Sequence, residues 1–281
     1  MGGRGSCYLN FHNASASSGA DLFMDLGNID DDKDTQKPYD GTTKKLIDAK
    51  IHIKESTDKI NEDIFVPNVN KFKALANKYT NATAPLKEGD EQLRIRAAKM
   101  PSQVQAAFST NAAEMKNLQI AFNKDLSLAT KESLEISVQK QIDSKFWTSS
   151  DKEELINHTP THEFGHFVQR MLMENERNTP EGQERFDKFF NNYCKTSSAK
   201  KKQLLAQEYS ESYATKYFKQ IQKIHRKKFG KENLEDISRY GQTNNRECFA
   251  ELFANANTAK EPTNLSKSLD IFLKERNISN D

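Results

Sequence analysis

Residues 159–173 read TPTHEFGHFVQRMLM, and the five letters His162-Glu163-Phe164-Gly165-His166 at their centre decide how the rest of the chain is understood. Thr159-Pro160-Thr161 is a helix start, with proline suited to the first turn and threonine to the N-cap. Beyond it Phe164, Phe167, Val168, Met171 and Leu172 recur at three-to-four spacing, which predicts a helix with one buried stripe. His162, His166, Gln169 and Met173 fall on an adjacent stripe, where a cleft-facing site would lie. On a helix His162 and His166 stand one turn apart on the same face, so both imidazoles can reach one metal ion.

This is the H-E-x-x-H pattern of zinc-dependent hydrolases. Glu163, one residue after the first histidine, is badly placed to bind the same ion. It is well placed to take a proton from a metal-bound water, whose pKa zinc lowers to roughly 7. A catalytic zinc needs a third protein ligand and an open position. The metzincin extension would require glycine at 169 and histidine at 172, where this chain has Gln169 and Leu172. A glutamate about 20 residues beyond His166, as in thermolysin-type enzymes, would fall at Phe186; the neighbouring Glu184 lies in a polar stretch, 178–185, that reads as loop.

A second informative segment is SRYGQTNNRECFAELFA, 238–254. Gln242 to Asn245 supply a turn and a capping residue, after which an apolar-periodic helix begins. Glu247 and Glu251 share one face of it, while Phe249, Leu252 and Phe253 point into the core. Two acids at this spacing without a basic partner repel each other, unless one binds a cation and the other orients a ligand through a hydrogen bond. Either glutamate of this pair, or Glu208 or Glu211 in the helix from Leu204 to Tyr217, is a candidate third ligand.

HEFGH followed, after a long helical insert, by SRYGQTNNRECFAELFA resembles the catalytic core of the anthrax toxin lethal factor family of zinc metalloproteases, and related metalloprotease-type domains of phage head proteins. The resemblance implies one Zn2+ per chain held by His162, His166 and Glu247, Glu163 as general base, Tyr240 as the hydroxyl steadying the oxyanion, and Glu251 as the acid behind the ligands. It extends at fold level over about 118–281, with roughly two dozen residues carrying it specifically. A tetrahedral oxyanion is stabilised by a preorganised phenol, and Tyr240 precedes Gly241 in a turn from which its side chain can project into a cleft.

The chain of 281 residues is 29% charged, has a mean hydropathy of -0.86 and a net charge of +2. These values allow a substantial core under much solvated helix surface and give no reason to expect nucleic-acid binding. Lys200-Lys201-Lys202 and His225-Arg226-Lys227-Lys228 read as the wet faces of helices. Cys7, Cys194 and Cys248 form no metal-ribbon or disulfide framework, and Cys248 reads as a small packing residue. There is no apolar core for a signal peptide and no membrane-spanning run, so a cytoplasmic location is expected; the resemblance to phage head proteins implies a bacterial host cell, with virion association as an alternative. The myristoylation pattern at Met1-Gly2 with Ser6 reads as part of a flexible leader.

Three regions are expected. Residues 1–41 read as a flexible leader; its acidic cluster, Asp30-Asp31-Asp32 with Asp34, fails as a calcium loop because Thr35 and Gly41 occupy the positions that need glycine and glutamate. Residues 42–116 read as a helical N-terminal region, with a helix from Thr43 to about Lys78 interrupted at Pro67, a turn at Ala84-Pro85, and one or two helices over 91–116 broken near Pro101. Residues 117–281 read as a zincin-like metalloprotease domain. Within it, Leu118, Ile120 and Phe122 and then Leu134, Ile136 and Val138 alternate in the manner of strands, placing a small sheet before the motif helix. Residues 184–229 and 265–274 read as helical.

The fold class is therefore α+β, mostly helical, with a zincin-like C-terminal domain. The expected function is that of a zinc metalloendopeptidase acting on a protein or peptide substrate, an extended chain pairing with the sheet edge. Two alternatives are a phage head or minor capsid component with a metalloprotease-like domain, whose partners are capsid or portal proteins, and a protease effector delivered by a partner.

Overall fold

The computed structural model describes residues 51–53, 62–86, 92–98, 100, 104–110, 118–123, 130–231 and 236–279. The expected leader over 1–41, Cys7 and the segment around Pro101 lie outside these residues. The described chain is α+β and mostly helical, with a small mixed sheet.

The sheet has four strands in the order β1-β2-β4-β3: β1 is Ile51–Ile53, β2 Leu93–Ala98, β3 Ala106–Ser109 and β4 Gln119–Asn123. β1, β2 and β4 run parallel, and β3 closes one edge antiparallel to β4, with Phe108 opposite Ile120. Three of the four strands fall where helix is expected. Leu93 and Ile95 alternate with Arg94 in period two, the pattern of a half-buried strand. In Ala106-Ala107, high helix propensity yields to packing: both alanines are buried on opposite faces of the strand, Ala106 in the core shared with the motif helix and Ala107 against Met100, Val104 and Ala121. The expected boundary at 117 falls between β3 and β4, which are hydrogen-bonded to each other.

Helix α1, Glu62–Lys78, runs through Pro67 without interruption. Proline removes one backbone bond near the start of the helix, while Ile64, Phe65, Val69, Phe72 and Leu75 all bury their side chains. The short α2, Thr80–Thr83, leads to the turn at Ala84 and Pro85.

The second set of expected strand residues is helical. Leu134, Ile136 and Val138 lie in α3, Lys131–Asp143, whose N-cap Thr130 accepts from Ser133 N at 3.1 Å. Leu134 and Val138 are four apart and so satisfy both periods; they are buried, and Ile136 is 50% exposed.

After a 3-10 turn at Lys152–Asn157 come α4 (His158–Arg177), α5 (Pro180–Lys195), α6 (Ala199–Phe229), α7 (Asn245–Thr258) and α8 (Asn264–Glu275). The motif helix α4 begins one residue before Thr159, with Asn157 as N-cap; Pro160 lies in its first turn. Glu184 is in helix α5 rather than a loop, and its side chain is exposed. A chain of aromatic contacts ties the layers together: Phe122 of β4 meets Phe72 of α1 at 5.9 Å, Phe72 meets Phe164 of α4 at 6.0 Å, and Phe164 meets Phe253 of α7 at 6.2 Å. α4 and α7 are thus held face to face in one core with the sheet.

Among the described residues no helix is long and apolar enough to cross a membrane.

Candidate metal centre

The closeness of α4 and α7 is set by Gly165. A Cβ there would meet Phe253 Cβ at 3.0 Å and Ala250 Cα at 3.1 Å, so only glycine lets the helices approach this far. The expected apolar stripe of α4, from Phe164 to Leu172, is fully buried. The adjacent stripe is less open than expected: Gln169 and Met173 are buried too, and only His166 keeps partial exposure, 14% of its side chain.

α7 is placed at both ends of its first turn. Asn244 is its N-cap and accepts from Glu247 N at 3.0 Å. Glu211 of α6 accepts from Asn245 N at 3.0 Å and from Asn245 Nδ2 at 2.9 Å, a carboxylate at the positive end of the helix. This gives Glu211 a role other than metal ligation, while Glu208 is exposed.

So positioned, Glu247 Oε2 lies 3.1 Å from His162 Nε2 and 3.3 Å from His166 Nε2. Donor atoms of His162, His166 and Glu247 all lie within 4.8 Å of one another, the one such cluster of His, Cys, Asp or Glu among the described residues. In a tetrahedral site with zinc–ligand bonds of about 2.0–2.1 Å, neighbouring donors are separated by about 3.3–3.4 Å. The residues therefore fit a small divalent cation that takes nitrogen and oxygen ligands.

Glu163 adds an independent fit. Its side chain is 1% exposed; Oε2 accepts from the backbone N–H of Phe108 in β3 at 2.7 Å, while Oε1 is buried with no hydrogen-bond partner. A carboxylate oxygen left dry and unpaired is costly, and a water bound beside the two histidines would satisfy it. Burial raises the Glu163 carboxyl above its usual range, against the pull of His162 and His166.

Glu251 lies behind the cluster. Its Oε1 is 2.9 Å from His162 Nδ1; its Oε2 accepts from Thr148 N and from Ser238 Oγ, each at 2.8 Å. A carboxylate on Nδ1 fixes the tautomer that leaves Nε2 free for a metal. Burial alone would lower the His162 pKa, but contacts with Glu247 and Glu251 raise it to about 10. Burial likewise works against ionisation of both acids, and the histidines overcome it: His166 and His162 hold Glu247 well below the usual carboxylate range, and His158 and His162 do the same for Glu251.

Tyr240 sits in the turn before Gly241. Its N–H donates to Phe146 O at 3.0 Å, and its ring lies between Phe146, 5.4 Å away, and His162, 5.7 Å away. Gly241 lets the turn press on α7, since a Cβ there would meet Cys248 Cα at 3.3 Å. Cys248 is buried, and burial pushes its thiol pKa up; Cys194 is exposed.

Reading the sequence missed Phe108, Thr148 and His158, and quoted Ser238 and Glu211 without their present roles. His158, one turn before His162 on the same helix face, was the residue whose spacing offered a signal. Backbone donors such as Phe108 N and Thr148 N leave none.

Compared with protein-family models, with curated proteins and with solved structures, the chain gives no match.

Proposed function

We propose that this protein is a zinc metalloendopeptidase with a zincin-like core, one ion being held by His162, His166 and Glu247. The observation that carries this reading is the convergence of those three donors beside a buried Glu163 oxygen that has no partner. The resemblance of HEFGH and SRYGQTNNRECFAELFA to the lethal factor family supports the same assignment.

When bound, zinc would act as a Lewis acid and lower the pKa of a coordinated water to roughly 7. Glu163 Oε1 takes the proton of the attacking water, while Oε2 stays anchored to Phe108 N. Burial, which raises the Glu163 carboxyl, suits it to hold that proton and pass it to the leaving amine. Tyr240, with its ring against His162, supplies a phenol to the oxyanion of the substrate carbonyl. Glu251 keeps His162 in the ligating tautomer. An extended peptide would lie along the β3 edge, next to the strand that holds Glu163.

The burial of His162, Glu163 and Glu247, each 1% exposed, favours a second reading. In it the site binds metal without turnover, as in a phage head component whose metalloprotease-like domain serves as scaffold.

Protein purified without chelator or metal-affinity tag tests both. About one zinc per chain, lost in Glu247→Ala, together with cleavage of a peptide library that Glu163→Gln abolishes, supports the peptidase. Zinc without cleavage supports the scaffold. Parent protein that cannot take up zinc overturns both.

A further inference from the structure

Behind Glu251 lies a buried histidine that the proposed chemistry does not use. His158 opens α4, is 0% exposed, and stacks on Trp147 with ring centroids 5.2 Å apart. Its Nδ1 is 2.7 Å from Ser150 Oγ, which is 2.6 Å from Thr258 Oγ1. Its Nε2 is buried without a hydrogen-bond partner and faces Glu251 Oε1 at 3.7 Å, the same oxygen that lies 2.9 Å from His162 Nδ1.

The protons around this chain can be counted. Ser150 and Thr258 have one hydroxyl proton each. If Thr258 donates to Ala254 O, from which it lies 2.8 Å, Ser150 donates to Thr258 and accepts from His158 Nδ1–H. If Thr258 instead donates to Ser150, Ser150 donates to His158 Nδ1. In the second arrangement the neutral ring carries its proton on Nε2. In the first, a ring without an Nε2 proton would turn a lone pair toward a carboxylate oxygen in a dry site, the costly choice. For the neutral ring the second arrangement, which aims an N–H from Nε2 at Glu251, is therefore the less costly one.

We infer that His158 is a positioning residue for the metal centre, acting through Glu251 on His162 as the outer member of a His158–Glu251–His162 line. Glu251 has three hydrogen-bond donors, Thr148 and Ser238 on Oε2 and His162 on Oε1, and His158 Nε2 faces that same Oε1 at 3.7 Å. The line deepens the zinc reading and rests on it for its effect on metal affinity. The contact itself exists with or without metal.

The side-chain geometry supplies the test. Glutamine at 158 places an amide N–H where Nε2 lies, asparagine reproduces only the Nδ1 side facing Ser150, and phenylalanine keeps only the stacking on Trp147. Zinc affinity is measured by chelator competition for the parent, His158→Gln, His158→Asn and His158→Phe. In parallel, the His162 Nδ1 proton is followed by 1H–15N NMR in metal-free protein, identified by its loss in His162→Ala. Outer partners of ligating histidines typically contribute about 10–100-fold to metal affinity, and Glu251 keeps three other donors. His158→Phe and His158→Asn should therefore lose about tenfold and shift the His162 proton upfield, and His158→Gln should restore both.

Equal rescue by asparagine and glutamine, or an unmoved His162 proton in the phenylalanine and asparagine variants, overturns the inference and leaves His158 with packing alone. If His158→Phe does not fold, the contrast between asparagine and glutamine decides. If the parent takes up no zinc, the metal reading fails, and the NMR comparison still decides the His158 line.

Discussion

The backbone N–H of Phe108 donates to Glu163 Oε2 at 2.7 Å, joining edge strand β3 to the motif helix across 55 residues of sequence. One bond fixes the orientation of the proposed base and at the same time marks the sheet edge along which a peptide would lie. The two carboxylate oxygens thereby have separate duties, one structural and one facing the cluster.

This division predicts that Glu163→Ala and Glu163→Gln differ in stability although both remove the base. Glutamine retains a carbonyl oxygen for Phe108 N–H, whereas alanine leaves a buried donor unpaired, at a cost of about 1–3 kcal/mol. Urea unfolding of the metal-free variants should show Glu163→Ala the weaker by that amount.

Gly165→Ala should loosen the α4–α7 contact. The added methyl group meets Phe253 and Ala250 at 3.0–3.2 Å, and overpacking of this kind costs about 1–3 kcal/mol, partly offset by about 0.5–1 kcal/mol of helix propensity. The expected result is a modest net loss in thermal stability with a larger loss of zinc affinity, because the shift separates His162 and His166 from Glu247.

Glu211→Ala should destabilise the start of α7. Its carboxylate accepts two hydrogen bonds from Asn245 within the first turn, and caps of this type contribute about 1–2 kcal/mol. Chemical denaturation measures the loss. If Glu211 were a metal ligand instead, zinc stoichiometry would fall with it.

The metal-free protein should be most stable between about pH 4.5 and 6.5. His162 is raised from its ordinary 6.5 to about 10, so its contribution is complete below 6.5 and is lost as pH rises toward 10. Glu247 and Glu251 are lowered from 4.5, so theirs is present above 4.5 and lost on acidification. Glu163, raised by burial, adds to the decline above 4.5. Thermal melting across pH checks the profile, and zinc added near pH 8 should raise the melting temperature by mass action.

Tyr240→Phe should retain zinc and lower kcat by about 10²–10³, the usual effect of losing an oxyanion donor. Its ring contacts with Phe146 and His162 do not depend on the hydroxyl and are kept in the variant. Steady-state kinetics against zinc content separates the two effects.

The pairs His162/His166 and Glu247/Glu251 were legible in sequence because helical period is a local property, while the choice of Glu247 over Glu251, Glu208 and Glu211 rested on the resemblance. His162 and His166 share a face of α4, and Glu247 and Glu251 share a face of α7, whatever else the chain does. The same periodicity identified the buried stripe of α4 and the capping turn before α7. It was ambiguous where two periods coincide, as at Leu134 and Val138, and β1, β2 and β3 lie where helix is expected; in β3 the buried Ala106 and Ala107 are extended through packing against neighbours. Only the tertiary structure decided that the faces of α4 and α7 meet at Gly165, that Phe108 N–H holds Glu163, and that Glu211 caps a helix. Those outcomes depend on close approach and on backbone groups, which every residue possesses and which leave no mark in the sequence.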